Sequence, residues 1–323
     1  MRGWYSLAVN RKLYLSAFLQ VICSPLLITQ SASAMMRERK EIIMNIGFIG
    51  AGRVGCSMGK YFVEGGYSVA GYADCDADAA VDAAAFTHTE YYAKTEELVH
   101  DSDMIFVTVS DDVIGDLWNQ IKNMPIAKKI ICHTSGSVAS TIFSGISLTG
   151  AYGYSVHPLY AVHSKRTSYR ELSHAVFTIE GDEEKLPVIR ELFESLGNHV
   201  EVIRADVKPK YHAAAVFASN YVTALAGISA KLLKECGFSD QAAKQAYLPL
   251  MRGNVENIAQ AGLSGALTGP IDRNDATTVQ RHKACLDREI WDVYRMLAGE
   301  LLEIAESRHP ERDYGAIAEC LEG

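Results

Sequence analysis

Residues 44–74 read MNIGFIGAGRVGCSMGKYFVEGGYSVAGYAD. A short apolar run, Ile46 to Ile49, ends on Gly50. Gly52 and Gly55 follow in the spacing G-x-G-x-x-G, and a stretch with helical spacing closes on Gly65 and Gly66. A second apolar run ends at Asp74, nineteen residues after Gly55. Strand, glycine turn, helix, strand and acid make up a βαβ unit built to take a dinucleotide. Gly50 permits the tight turn out of the strand, Gly52 lets the backbone approach a pyrophosphate, and Gly55 lets helix and strand pack closely. The first turn of the helix presents unpaired N–H groups to the phosphate charge. The expected cofactor contacts are therefore Gly50, Ala51, Gly52, Arg53, Val54, Gly55 and Asp74. Asp74 can accept hydrogen bonds from ribose hydroxyls and would repel a 2′-phosphate, which favours NAD over NADP. Arg53 could reach a phosphate, and Asp74 also suits the cap of the next helix, so both cofactors and both roles stay open.

The alternation continues past this unit. DADAAVDAAAF reads as a helix capped by Asp76, and SDMIFVTVSD and KKIICHTSGS as buried strands around the amphipathic DDVIGDLWNQIKN. GAYGYSVHP, HAVFTIEG and HVEVI extend the sheet, with EEKLPVIRELFESLG as a further helix. Continuous apolar strands alternating with helices predict a doubly wound, mainly parallel α/β sheet of the Rossmann type. The pattern changes near Asp206, and from there only helical sequence follows. One helix of nearly thirty residues is expected over 207–236, stopped by Gly237, with two more around 275–286 and 288–308. The expected organisation is a segment 1–43, a dinucleotide-binding domain 44–206 and an all-α domain 207–323 for substrate binding and dimerisation.

Residues 1–34 carry basic residues, an apolar stretch and an Ala-Ser-Ala ending, the composition of a secretory signal. A start at Met44, directly before the first strand, is the competing reading and the one favoured here, which places the protein in the cytoplasm. A formal charge of −8 argues against a nucleic-acid or anionic-membrane surface. The apolar stretch near the start is short and interrupted, so a membrane span is not expected. Seven scattered cysteines show no metal-ligand spacing, so no metal site is expected.

The strand ends supply further candidates: Ser110 in TVSDD, and Thr134, Ser135 and Gly136 in HTSGS. Ligands of open α/β sheets bind beyond the carboxyl ends of strands, where these small residues leave room for a nicotinamide ring. His157, expected just past a strand end and fixed by Pro158, is a candidate acid/base. On the long helix, Lys208, His212, Ser219 and Thr223 fall within about 60° of one another, with Asn220 at the edge. A polar stripe among Ala213, Ala214, Phe217 and Ala218 fits either a ligand site or a solvent-facing side. The loop LTGPIDRNDATTV, residues 267–279, is elaborate for a connector and could serve as a lid, with Asp275 capping the next helix.

GFIGAGRVG, HTSGS, HPL, YHAAAVFASNYVTAL and LTGPIDRNDATTVQRH carry a family resemblance from Met44 onward. The chain resembles the 6-phosphogluconate-dehydrogenase-like superfamily, which includes pyrroline-5-carboxylate reductase and the coenzyme-F420-dependent NADP oxidoreductases. It is most similar to oxidoreductases whose helical part is the domain of unknown function 2520. The resemblance implies a nicotinamide-dependent reductase or dehydrogenase, often a homodimer through its helical domain, and names no substrate. Relatives often carry Ser-Arg after the second strand, a pair suited to NADP; here Ala73-Asp74 stands in its place.

The expected function is an NAD(P)-dependent oxidoreductase moving hydride between the nicotinamide and a small, anionic carbonyl, imine or alcohol. His212 and His157 are its candidate acid/base residues, with Asn220 and Ser135 to orient the substrate. Ser219 would contact the substrate, and Arg252 and Arg273 would clamp its carboxylate. A non-catalytic dinucleotide sensor is the alternative, since it needs the glycine loop and no acid/base group.

Overall fold

The computed structural model describes residues 44–322. The signal-like segment 1–34 lies outside the described residues. The chain divides after Pro209 into two compact units.

The first unit holds an eight-stranded sheet in the order β3-β2-β1-β4-β5-β6-β7-β8. Its strands are β1 Ile46–Ile49, β2 Val69–Ala73, β3 Glu90–Tyr91, β4 Met104–Val107, β5 Ile130–His133, β6 Tyr152–Leu159, β7 Val176–Gly181 and β8 His199–Val202. All neighbours are parallel except β6 and β7. Helices α1 (Arg53–Glu64), α2 (Ala77–Thr87), α3 (Thr95–Asp101), α4 (Asp111–Ile121), the short α5 (Ile146–Thr149) and α6 (Leu186–Ser195) connect them. The order reverses between β1 and β4, which opens a crevice at their carboxyl ends.

Pleating divides the apolar residues into two cores. Ile46, Phe48, Met104, Phe106 and Cys132 pack with Met58, Phe62, Ala80 and Phe193, and Phe48 stacks on Phe106 at 5.5 Å. On the opposite face Ile49, Ile105, Val107 and Ile131 pack with Leu98, Ile114, Trp118 and Phe143. The doubly wound sheet expected from continuous apolar strands is the one formed.

His157 departs from expectation. It lies inside β6, paired with Thr178, and Pro158 is also within the strand. A proline normally ends a central strand because it has no N–H to donate. β5, however, pairs only with Tyr152 to Ser155, so β6 overhangs it, and along the overhang one side of the strand needs no donor.

Among the described residues the second unit is built from helices. They are α7 (Lys208–Ala218, whose first two residues belong to the first unit), α8 (Asn220–Glu235), α9 (Asp240–Ala266), α10 (Ala276–Cys285), α11 (Arg288–Arg308) and α12 (Gly315–Glu322). Leu267, Ile271, Val279, Trp291, Ala298 and Ile317 form its core. The single helix expected over 207–236 is two. Ser219 takes φ −124° and ψ −71° and starts α8 afresh. Its hydroxyl caps neither helix, and its N–H still reaches back to the Ala215 and Val216 carbonyls, so the break is a kink in the backbone and not a side-chain cap.

Candidate active site

The glycine loop connects β1 to α1. Gly50 has φ +109°, and a side chain there would meet the Thr108 carbonyl oxygen at 2.7 Å. A Cβ at Gly55 would lie 2.3 Å from the Gly50 oxygen. Thr108 locks the turn by donating its hydroxyl to the Gly50 carbonyl at 2.7 Å. Gly52 is different, because a Cβ there would find its nearest atom at 3.9 Å. Internal packing requires Gly50 and Gly55 to be glycine but leaves the space over Gly52 open. No side chain caps α1 at Gly52, and its first turn carries no acid. The loop and its helix dipole thus fit the phosphates of a dinucleotide.

Asp74 sits just beyond β2. Its carboxylate accepts from the Ala51 N–H at 2.6 Å and from the Asp76 N–H at 2.9 Å. The cap of α2 is Asp76, which accepts from the Asp78 and Ala79 N–H groups at 3.1 and 3.2 Å. Asp74 therefore does not cap that helix. It is clamped beside the glycine loop with lone pairs left to accept ribose hydroxyls. Arg53 is exposed at the start of α1.

A second group of polar residues occupies the carboxyl ends of β5, β6 and β7. His133, Ser155 and Glu180 are register partners in one row across these strands, all buried. Their face of the sheet is apolar on β1 and β4 and turns polar here. Glu180 accepts from the Ser140 N–H at 2.7 Å and from the Ser140 hydroxyl at 2.6 Å. His133 Nδ1 accepts from the Ser135 N–H at 3.2 Å, which leaves the ring proton on Nε2. Burial, followed by the Lys208 charge, pulls the His133 pKa down to about 4, so the ring is neutral at pH 7.

Lys208, the first residue of α7, closes over this row. Its side chain is 1% exposed, and Nζ donates to the Ser135 carbonyl at 2.9 Å and to Ser155 Oγ. Burial lowers its pKa to about 8, with Glu180 and Asp111 acting in the opposite direction. The Ser135 hydroxyl donates to Asp111 at 2.7 Å and accepts from the Ser137 and Val138 N–H groups at 3.2 and 3.0 Å. Ser137 donates to the same Asp111 oxygen at 2.8 Å. The 134–137 loop, which includes Thr134 and Gly136, is thereby tied to the start of α4 next to Ser110.

The structure gathers Ser110, Thr134, Ser135 and Gly136 into one cluster, with His157 farther along β6. His212, Ser219, Asn220, Arg252 and Arg273 belong to the second unit. There His212 is half-buried, while Ser219, Asn220, Arg252 and Arg273 are exposed. The polar stripe does not stay on one continuous helix, since Ser219 breaks it. Sequence reasoning placed Lys208 in that stripe without a role, and it passed over His133, Ser155 and Glu180. A signal was present: on three successive strands the residues sharing the parity of the core-facing Ile131 turn polar together.

The loop 267–279 is packed onto its own unit. Asp272 accepts from Arg308 at 3.2 Å through its carboxylate and from Arg312 at 2.9 Å through its carbonyl. Asn274 takes φ +56° and donates to the Asp313 carbonyl at 2.7 Å, while Ile271 and Val279 are buried. Asp275 caps α10 by accepting from the Thr278 N–H at 3.0 Å, as its position implied. Most of the unusual composition of this loop is therefore used to hold it against α11 and the turn that follows.

Residues 29–158 match a Rossmann-like domain, and residues 175–301 match DUF2520, a domain of unknown function. No curated protein matches the chain. Among solved structures, protein TM1727 from Thermotoga maritima is 26% identical, over 82% of this chain and 99% of that one, with a TM-score of 0.62. A Bacteroides fragilis protein assigned as an NADP oxidoreductase is 21% identical, over 80% and 98%, with a TM-score of 0.64. Plasmodium falciparum pyrroline carboxylate reductase, solved with NADP bound, shares the fold at 15% identity over 82% and 98%, with a TM-score of 0.55. The chain joins a Rossmann-like domain to a DUF2520 domain.

Proposed function

We propose that this protein is an NAD(P)-dependent oxidoreductase acting on a small, anionic carbonyl, imine or alcohol. One observation carries the reading: a glycine loop left open at Gly52 lies beside a carboxylate, Asp74, clamped at the end of β2. Internal packing does not require that open position, whereas a pyrophosphate does. The fold shared with an NADP-bound reductase supports the same class.

When bound, the nicotinamide cofactor supplies or accepts the hydride. The chain's own residues bind, orient and manage the proton. Ser110, Thr134 and Gly136 line the nicotinamide end. Ser135, whose hydroxyl is engaged by Asp111, Ser137 and Val138, shapes that loop instead of touching substrate directly. His212 and His157 are the proton donors or acceptors, Ser219 and Asn220 orient the substrate, and Arg252 and Arg273 take its carboxylate. Asp74 favours NAD because its charge opposes a 2′-phosphate.

The working form is a homodimer through the helical unit. Phe217 (65% exposed), Tyr221, Val222 and Leu225 lie bare along α7 and α8 in the single chain, and a second copy would cover them. The stretch Ala205–Glu235 is also apolar enough, by length and composition alone, to cross a membrane. Burial between copies accounts for that composition in a soluble enzyme, and light scattering after gel filtration tests the dimer. The six described cysteines are unpaired thiols, which suits the cytoplasm.

The deciding experiment is a fluorescence titration with NADH and NADPH, followed by a metabolite screen with the better ligand. NADH binding with turnover of at least one small carboxylate-bearing carbonyl or imine is expected. His212→Ala should abolish that turnover while leaving NADH affinity intact. Binding without turnover of any compound would favour the sensor, and absence of binding would refute the reading.

A further inference from the structure

Lys208 is a buried ammonium with no carboxylate in contact. Its partners are two neutral oxygens, the Ser135 carbonyl and Ser155 Oγ. The charged groups facing it are otherwise occupied. Glu180 on β7 is held by Ser140, and Asp111 on α4 by Ser135 and Ser137; Asp206, two residues before Lys208, is exposed and paired with Arg204. His133 on β5 is neutral at pH 7. Burying a charge without an ion pair is unfavourable, so the arrangement needs a compensating use.

That use follows from what the ammonium grips. Ser135 is held at both ends, by Lys208 on its carbonyl and by Asp111 on its hydroxyl. The Ser155 hydroxyl adds a donor to the same carbonyl at 3.2 Å. The 134–137 loop is thus pinned at the carboxyl end of β5, with Thr134 next to that strand. Asp74, held by the Ala51 N–H, would place the adenosine ribose on the β2 side of the glycine loop. Since β4 and β5 lie on the other side of β1, the second half of a bound dinucleotide would be directed towards them.

We propose that Lys208 is a positioning residue: through the Ser135 carbonyl, its ammonium sets the 134–137 loop in the pose that receives the nicotinamide half of the cofactor. The inference rests on the oxidoreductase reading above. The lowered pKa of Lys208, about 8, adds a consequence. The grip weakens as the amine loses its proton above that pH, and so does nicotinamide binding.

Calorimetric titration with two probes tests this. NADH carries the nicotinamide, and ADP-ribose lacks it. In Lys208→Met, NADH affinity should fall about tenfold, the value of one charge-assisted hydrogen bond, while ADP-ribose affinity stays within about twofold. Between pH 7 and pH 9, wild-type affinity for NADH should fall severalfold, whereas ADP-ribose binding, and NADH binding by Lys208→Met, should stay level. If circular dichroism shows that Lys208→Met does not fold, Ser155→Ala replaces it, with about a threefold selective loss of NADH affinity expected. Equal weakening of both probes, or of neither, overturns the positioning role and leaves the oxidoreductase reading standing. A wild-type protein that binds neither probe overturns both.

Discussion

Lys208→Met also makes a stability prediction that needs no ligand. A free lysine titrates at 10.5, and burial brings Lys208 to about 8. The gap corresponds to ~3 kcal/mol of unfavourable charge burial in the folded state. Between these two values the unfolded chain keeps a proton that the folded chain has released. Stability from this site therefore rises with pH across that window and is flat below it. Other buried groups push the opposite way. Cys132, Tyr72 and Tyr154 all have pKa values raised by burial, so the unfolded chain ionises first and alkali favours it. The useful quantity is thus wild-type stability minus that of Lys208→Met, in which the shared groups cancel. From pH 7 to pH 9.5 this difference should grow by ~2 kcal/mol in favour of wild type. Urea unfolding measures it through Trp118, buried in the first unit, with Trp4→Phe and Trp291→Phe silencing the other two tryptophans. A difference that stays constant over that range would refute the buried-ammonium argument.

Three other outcomes follow from single observations. Asp74→Ala should weaken NADH binding about tenfold and narrow the gap to NADPH, because one carboxylate provides both the ribose contact and the repulsion; unchanged NADH/NADPH selectivity in fluorescence titration would remove Asp74 from the cofactor site. Gly52→Ala should fold with a near-wild-type melting temperature and lose dinucleotide affinity, whereas Gly55→Ala, whose Cβ would sit 2.3 Å from the Gly50 oxygen, should be strongly destabilised; equal melting temperatures for the two would contradict this division. His133, neutral and held down to about 4, leaves the unfolded state to take up the proton first, so its stability is lost as pH falls from about 6.5 towards 4, by up to ~3 kcal/mol; His133→Gln should flatten that limb of a urea-unfolding series.

The parts of the molecule that were legible in the sequence are those that one segment specifies by itself. The glycine spacing, the acid after β2 and the apolar strands each carry their own chemistry, and the sheet they predict is the one formed. The errors arose where one segment's state depends on another's reach. Pro158 ends a strand only if both neighbours continue beside it, and β5 stops at His133. The backbone breaks at Ser219 within a run whose composition favours one helix, and the Ser219 side chain makes no capping bond that local sequence could have announced.

Lys208 is the sharper case, since its helical position is plain in the sequence and its buried setting is not. On a helical wheel it joins His212 and Ser219 and looks like part of one surface. In the fold its ammonium turns back to the row His133, Ser155 and Glu180, which no single strand displays as a pattern. Each strand contributes one polar residue at a core-facing position, easily dismissed as a tolerated exception. Three exceptions aligned across adjacent strands are a buried polar layer, and such a layer is stable only if something satisfies its donors and acceptors. Here the work is divided: Ser140 serves Glu180, the Ser135 N–H serves His133 Nδ1, Lys208 serves Ser155, and His133 Nε2 has no hydrogen-bond partner among the described residues. Lys208, entering from the start of α7, supplies the one cationic donor to that row, at Ser155, and through Ser135 its contacts reach the loop beside the cofactor crevice.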